Sequence, residues 1–170
     1  MEMSIIFLDI DGVLCLGREI DKKYLQNLKA IVDVTSARIV LSSSWRFFPK
    51  SRAKVESSFA EVGIDSLLAW TGSRGKSRVD EIYYWMKDFD NKTIQEEIII
   101  KKWIAIDDMD LLTLDKKRMQ DHFVLFYICA WNHRRNSERS DSITEGTRIV
   151  LDTRKRLKIS SITLYSVVYK

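Results

Sequence analysis

Short apolar runs that each end in an acid or a hydroxyl recur along this chain. They constrain its fold more than any other feature. Residues 4–8 (SIIFL) run into Asp9, residues 38–41 (RIVL) into three serines, and residues 102–106 (KWIAI) into Asp107 and Asp108. Continuous apolar runs suit strands buried on both faces, as in parallel sheets. Residues 64–70 and 122–128 read as two more strands. Between the runs lie stripes at helical spacing: Ile20, Tyr24, Leu25, Leu28, Ile31 and Val32 within 19–34; Val55, Phe59 and Val62 in a second segment; Val79, Ile82, Tyr83, Met86 and Phe89 within 77–89. Ser51 is the expected cap of the second helix and Gly63 its stop. Residues 71–76 (TGSRGK) read as a glycine-rich loop. The alternation predicts an α/β fold of three layers, Rossmann-like, with a mainly parallel central sheet.

The chain is expected to form one domain over residues 1–170, with an edge strand or tail at 159–170. Its 170 residues include one Pro and six Gly, so no Pro/Gly-rich linker divides it. Residues 143–158 read as partly helical and 132–141 as a polar, basic loop. Cys15 and Cys129 are too few and too far apart for a disulfide scaffold or structural zinc. The N-terminus lacks the basic and long apolar regions of a secretion signal. No stretch approaches the apolar length of a spanning helix. A cytoplasmic location without membrane contact is the expectation. Net charge is +4, and the basic excess is local, at His133, Arg134, Arg135, Arg139, Arg148, Arg154, Lys155, Arg156 and Lys158. Clustered cations attract polyanions such as nucleic acid.

In parallel α/β sheets, ligands gather at the carboxyl ends of the strands, which is where the acids and serines fall. In extended chain Asp9 and Asp11 point the same way, so both carboxylates are expected to face one space. Like charges that close call for a cation or a proton between them. Mg²⁺ takes oxygen ligands and keeps several waters. Gly12 lets the chain turn away. A carboxylate can attack phosphorus to give an acyl phosphate, while its partner protonates the leaving group and later activates water. Ser42 or Ser43 can hold a phosphate oxygen. Lys76 or Arg78, opening the third helix, can neutralise nucleophile and phosphate. Asp107 and Asp108 offer further metal oxygens.

The ordered set FLDIDG, IVLSSSWR, RVDEI and IAIDD resembles the haloacid dehalogenase (HAD) superfamily of phosphatases, in particular the subgroup described as the HAD domain of Swiss Army Knife RNA repair proteins. The likeness covers residues 4–128. It implies Asp9 as nucleophile and metal ligand, and Asp11 as general acid/base and backbone ligand. It implies Ser43, with Ser42 as alternative, on the phosphate, and Arg78, with Lys76 as competitor, as the cation. Asp107 and Asp108 would complete a Mg²⁺ site, and Trp45 and Arg46 would shape its mouth or touch substrate, with simple packing the alternative for Trp45. The gaps between motifs leave no room for a large cap. The expected function is therefore Mg²⁺-dependent hydrolysis of a phosphomonoester through an aspartyl-phosphate. A nucleic-acid end phosphate or another large substrate is the expected class. A small-molecule (nucleotide) phosphatase and a non-catalytic nucleic-acid-binding module on the same fold are the competing readings.

Overall fold

A computed structural model describes residues 1–93 and 98–126. The chain runs β1 (Glu2–Leu8), α1 (Lys22–Thr35), β2 (Arg38–Leu41), a 3-10 turn (Ser44–Phe47), α2 (Pro49–Val62), β3 (Ala69–Trp70), α3 (Arg78–Thr93), β4 (Ile99–Asp107), α4 (Leu111–Leu114), α5 (Lys116–Met119) and β5 (Phe123–Leu125). The five strands form one sheet in the order β3-β2-β1-β4-β5, and every pairing is parallel. The three-layer α/β architecture expected from the alternation is the one observed. Among the described residues, the connections from β1 to β2 and from β2 to β3 hold no inserted domain that could close over the carboxyl edge.

The sheet is covered on both faces, which explains the unbroken apolar runs. Along β1, Ile6 and Leu8 join one core with Leu25, Leu28, Val55 and Phe59 of α1 and α2. Ile5 and Phe7 join a second core with Val79, Ile82, Leu111 and Met119 of α3, α4 and α5. Phe7 makes edge-to-face contacts with Trp85 and Trp103 at ring separations of 5.4 and 5.7 Å. These two tryptophans are therefore packing residues.

Several boundaries differ from the sequence expectation. The first helix starts at Lys22 because Asp21 caps it, accepting from the Lys23 N–H at 2.8 Å. Ser51 does not cap α2: Phe48 holds that position without a side-chain bond, and Pro49 opens the helix. A proline lacks the N–H that a cap would satisfy, and its fixed φ suits the first helical position. Gly63 ends α2 in the left-handed conformation, φ 73°. The Ile64 N–H then turns back to the Phe59 carbonyl at 2.9 Å, so the third strand is Ala69–Trp70 instead of beginning at residue 64. The fourth strand is longer than expected, and a bulge opposite Met3/Ser4 lets it pair back to Glu2. The short helices α4 and α5 had no counterpart in the periodicity reading. Each spans four residues and is capped by an aspartate, Asp110 or Asp115. Residues 127–128 of the fifth apolar run lie outside the described residues. So do the basic loop 132–141, the helix expected within 143–158, the tail at 159–170, Cys129 and Trp131.

Candidate active site

The last rungs of the sheet seat the polar residues. The Asp9 N–H donates to Ile106 O at 3.0 Å, Ser42 N–H to Leu8 O at 2.8 Å and Thr71 N–H to Leu41 O at 3.0 Å. Each residue just past a strand is thus held in line with its neighbours. Strand parity then aims the side chains. Asp9 follows Ile5 and Phe7, Ser42 follows Val40, and Asp107 follows Ala105, all on the face that α3 covers. Arg78, the first residue of α3, meets them there. Its Nη1 lies 2.8 Å from Asp107 Oδ2 and 3.4 Å from Asp9 Oδ1, and also donates to the Ser42 carbonyl.

Asp9, Asp107 and Asp108 each offer an oxygen within 4.8 Å of the others. Asp9 and Asp107 are 5% and 2% exposed, while Asp108 is open to solvent. Burial raises the pKa of both buried acids. For Asp9 the rise is opposed by Arg78 and by hydrogen bonds from Ser43 and the Ile10 N–H. Burial pushes Asp107 up to about 7 against the pull of Arg78, with the charges of Asp9 and Asp108 adding to the rise. One arginine does not balance three carboxylates. The donor set, all hard oxygen, fits a small divalent cation such as Mg²⁺. Gly12 supports that fit. Its φ is +72°, and a Cβ there would sit 2.8 Å from Asp108 Cβ and closer still to the carboxylate. Only glycine leaves Asp108 room beside the first loop.

The raised acids make a pH prediction. A carboxyl whose folded pKa lies above its unfolded value keeps its proton in the folded chain where the unfolded chain has lost it. Folding stability therefore falls as pH rises from about 4 to about 7, and the loss is complete above the folded value. Metal-free protein should melt roughly 5 °C or more lower at about pH 8 than at about pH 5.5. Millimolar Mg²⁺ should recover more of the melting temperature at the higher pH, because a cation binds the ionised pair. A metal-free melting temperature that is level or climbs over this interval would contradict a buried, repelling acid pair.

Asp11 departs from expectation. Its carboxylate does not join the acid cluster. The ladder stops at Asp9, and the Ile10 carbonyl accepts from the N–H groups of Val13, Leu14 and Cys15 at 2.8–3.2 Å. Ile10 is drawn into the core and the chain curls, so the two-residue period of a strand no longer applies. Asp11 is exposed, and both its carboxylate oxygens accept from Trp45 Nε1, at 3.0 and 3.1 Å.

The two serines differ. Ser43 Oγ is hydrogen-bonded to Asp9 and accepts from the Trp45 N–H at 3.5 Å. Ser42 Oγ is buried without a partner. So is Thr71 Oγ1, which opens the expected glycine-rich loop 71–76 and follows β3 as Ser42 follows β2. Buried hydroxyls without partners are uncommon and call for a ligand or a water. Of the two candidate cations, Arg78 reaches the acids. Lys76 is exposed, and its backbone N–H donates to Asp80 Oδ2 at 3.0 Å, helping to cap α3. Arg46 is 5% exposed and points away from solvent: Nη1 donates to Ser43 O at 2.8 Å and Nη2 to Glu81 Oε1 at 2.6 Å. Glu81 also lies 3.7 Å from Arg78 Nε. It links the two arginines behind the acids and was missed as a site residue. The i,i+3 spacing of Arg78 and Glu81 on one helix was the available signal.

A family model described as the HAD domain in Swiss Army Knife RNA repair proteins matches residues 5–127. Neither the curated proteins nor the solved structures give a match to the chain.

Proposed function

The chain belongs to the family of HAD domains found in Swiss Army Knife RNA repair proteins, and from that premise we propose that it is a Mg²⁺-dependent phosphatase of nucleic-acid ends. Membership implies a hydrolase. The observation that supports the finer reading most is the convergence of Asp9, Asp107 and Asp108 oxygens within 4.8 Å, with the Arg78 guanidinium against two of them.

In this reading Asp9 is the nucleophile. One of its oxygens attacks phosphorus while the bond to the leaving oxygen breaks, giving an aspartyl-phosphate. Arg78 favours the ionised forms of Asp9 and Asp107 against the effect of their burial, and it offsets charge on the transferred phosphoryl group. Ser42, whose hydroxyl has no other partner, donates to a phosphate oxygen. Ser43 orients Asp9. Asp11 gives its proton to the leaving oxygen, then takes one from the water that attacks the aspartyl-phosphate. Asp9, Asp107, Asp108 and the Asp11 backbone would hold Mg²⁺, which when bound supplies Lewis-acid polarisation of the phosphate and neutralises its charge. Arg46 is more a scaffold than a substrate contact, since Ser43 and Glu81 occupy its guanidinium.

The carboxyl rim supports a large substrate. No inserted domain covers it among the described residues. Phe47 and Phe48, at the end of the 3-10 turn after β2, are 54% and 62% exposed; Trp70, the last residue of β3, is 48% exposed, and the Arg52 guanidinium lies over its ring at 4.4 Å. Aromatic faces beside cations suit stacked bases of a single strand. Among the described residues, no helix is long and apolar enough to cross a membrane.

The test is phosphate release, with Mg²⁺ present, from oligonucleotides phosphorylated at the 5′ or 3′ end, from the matching mononucleotides and from phosphopeptides. Release from oligonucleotides that chelator abolishes, at rates well above those on mononucleotides, is the expected result. Equal rates on mononucleotides would move the substrate class to small molecules. No release from any of them would overturn the phosphatase reading.

A further inference from the structure

Asp11 is exposed on a tight loop, and Trp45 is its only side-chain hydrogen-bond partner among the described residues. We infer that Trp45 is a positioning residue: its indole N–H aims the Asp11 carboxyl at the leaving-group oxygen. The inference rests on the aspartyl-phosphate reading above and adds a role that the two acids alone do not contain.

Two sets of contacts place the indole. First, Nε1 lies 3.0 and 3.1 Å from the two Asp11 oxygens, so one N–H is shared by both. An indole nitrogen donates and does not accept. It therefore cannot take the acid's proton. It holds the carboxyl from one side through both oxygens and leaves their remaining lone pairs for a proton. Second, Trp45 sits on a turn tied down at several points. Its backbone N–H donates to Ser43 Oγ at 3.5 Å, and its carbonyl accepts from the Phe48 N–H at 3.2 Å. The next residue, Arg46, is buried and pinned by Ser43 O and Glu81. Part of the indole packs against the core shared with α1 and α2. Ser43 also bonds Asp9. One four-residue turn thus fixes the distance between nucleophile and acid, which a free Asp11 side chain would not keep.

The step that depends on it balances simply. As the Asp9 oxygen bonds to phosphorus, the electron pair of the breaking P–O bond goes to the leaving oxygen. That oxygen takes the proton from Asp11, which becomes a carboxylate. Attack by water then returns a proton to Asp11 and frees Asp9 and phosphate. A leaving alkoxide needs the proton far more than a nitrophenolate does.

The experiment compares kcat/KM on a 5′-phosphorylated oligonucleotide, an alkyl ester, with kcat/KM on para-nitrophenyl phosphate, an activated aryl ester. Both are measured with Mg²⁺ for wild type, Trp45→Phe, Trp45→Tyr, Asp11→Asn and the Trp45→Phe/Asp11→Asn double variant. Phe and Tyr keep a ring and remove the N–H. The expected result is a fall in the alkyl-to-aryl ratio of about tenfold or more in both Trp45 variants, and a larger fall in Asp11→Asn. In the Asp11→Asn background, Trp45→Phe should cost little more, because the two act as one unit. The ratio does not depend on the fraction of enzyme that is folded. Equal losses on both substrates, or losses that multiply in the double variant, would overturn the positioning role. Wild-type protein inactive on both esters would instead overturn the phosphatase reading beneath it.

Discussion

Asp9→Asn should lower phosphate release by on the order of 10³-fold or more while leaving the metal-free fold at least as stable at about pH 8. The two halves of this prediction have different causes. An amide oxygen is a poor nucleophile and cannot form the acyl phosphate, so the first chemical step is lost. Stability follows burial and charge. Asp9 is 5% exposed, its pKa is raised by burial, and it shares a confined space with Asp107 and Asp108. Asparagine is nearly the same shape and carries no charge. The substitution removes one of three repelling carboxylates and its desolvation cost, while Asp107 remains 2.8 Å from Arg78 to balance the guanidinium. Activity and melting temperature should therefore move independently. Mg²⁺ should stabilise the variant less than wild type, because one ligand oxygen is now neutral. Activity within tenfold of wild type would remove Asp9 as the nucleophile. A loss of activity accompanied by a large drop in melting temperature would mean that the residue works through the fold.

The frame of this site was legible because it is local. β1 and β2 are continuous apolar runs, and β2 has the expected ends, Arg38 and Leu41. Residues at or just past the ends of such strands must lie on the carboxyl edge, which is enough to place Asp9, Ser42 and Asp107 near one another. What could not be read depends on contacts between distant positions or on turns that break a period. Trp45 meets Asp11 across 34 residues, and Arg46 meets Glu81 across 35. No periodicity in a single sequence encodes such pairs. The Asp11 carboxylate stays outside the cluster of Asp9, Asp107 and Asp108, because three N–H groups converge on the Ile10 carbonyl and end the extended chain just after Asp9. Arg78 and Lys76 could not be told apart by composition. Capping tells them apart: Ser77 and Asp80 close the start of α3, which leaves Lys76 outside and puts Arg78 on its first turn. One hydrophobic run misled for a related reason. Residues 64–68 have strand composition, but Ile64 donates to the end of α2, and the ladder with β2 is entered by the Leu68 N–H to Ile39 O and runs over Ala69 and Trp70.

Glu81→Ala should be the most destabilising single change near the site, with a loss of about 3–5 kcal/mol and a melting temperature lower by roughly 6–20 °C. Glu81 accepts from Arg46 Nη2 at 2.6 Å and lies 3.7 Å from Arg78 Nε. Burial pulls the pKa of Arg46 below its ordinary value, and Glu81 is the main charge opposing that pull. Arg46 Nε already lacks a partner, so removal of Glu81 would leave a buried guanidinium with Ser43 O as its one remaining acceptor. An uncompensated buried charge is the costly case. Loss of both partners is a milder one, because apolar residues of similar volume can fill the space without a desolvation cost. Arg46→Met with Glu81→Met should therefore recover much of the stability that either Glu81→Met or Arg46→Met alone gives up. The same double variant separates stability from chemistry. Arg78 would lose its Nε neighbour, and the turn carrying Trp45 would lose its anchor, so kcat/KM on an alkyl phosphate should stay depressed even in a well-folded double variant. Thermal melts and kinetics on the four proteins of this cycle would check both parts. Losses that simply add would show that Arg46 and Glu81 do not form the coupled support that their 2.6 Å contact requires.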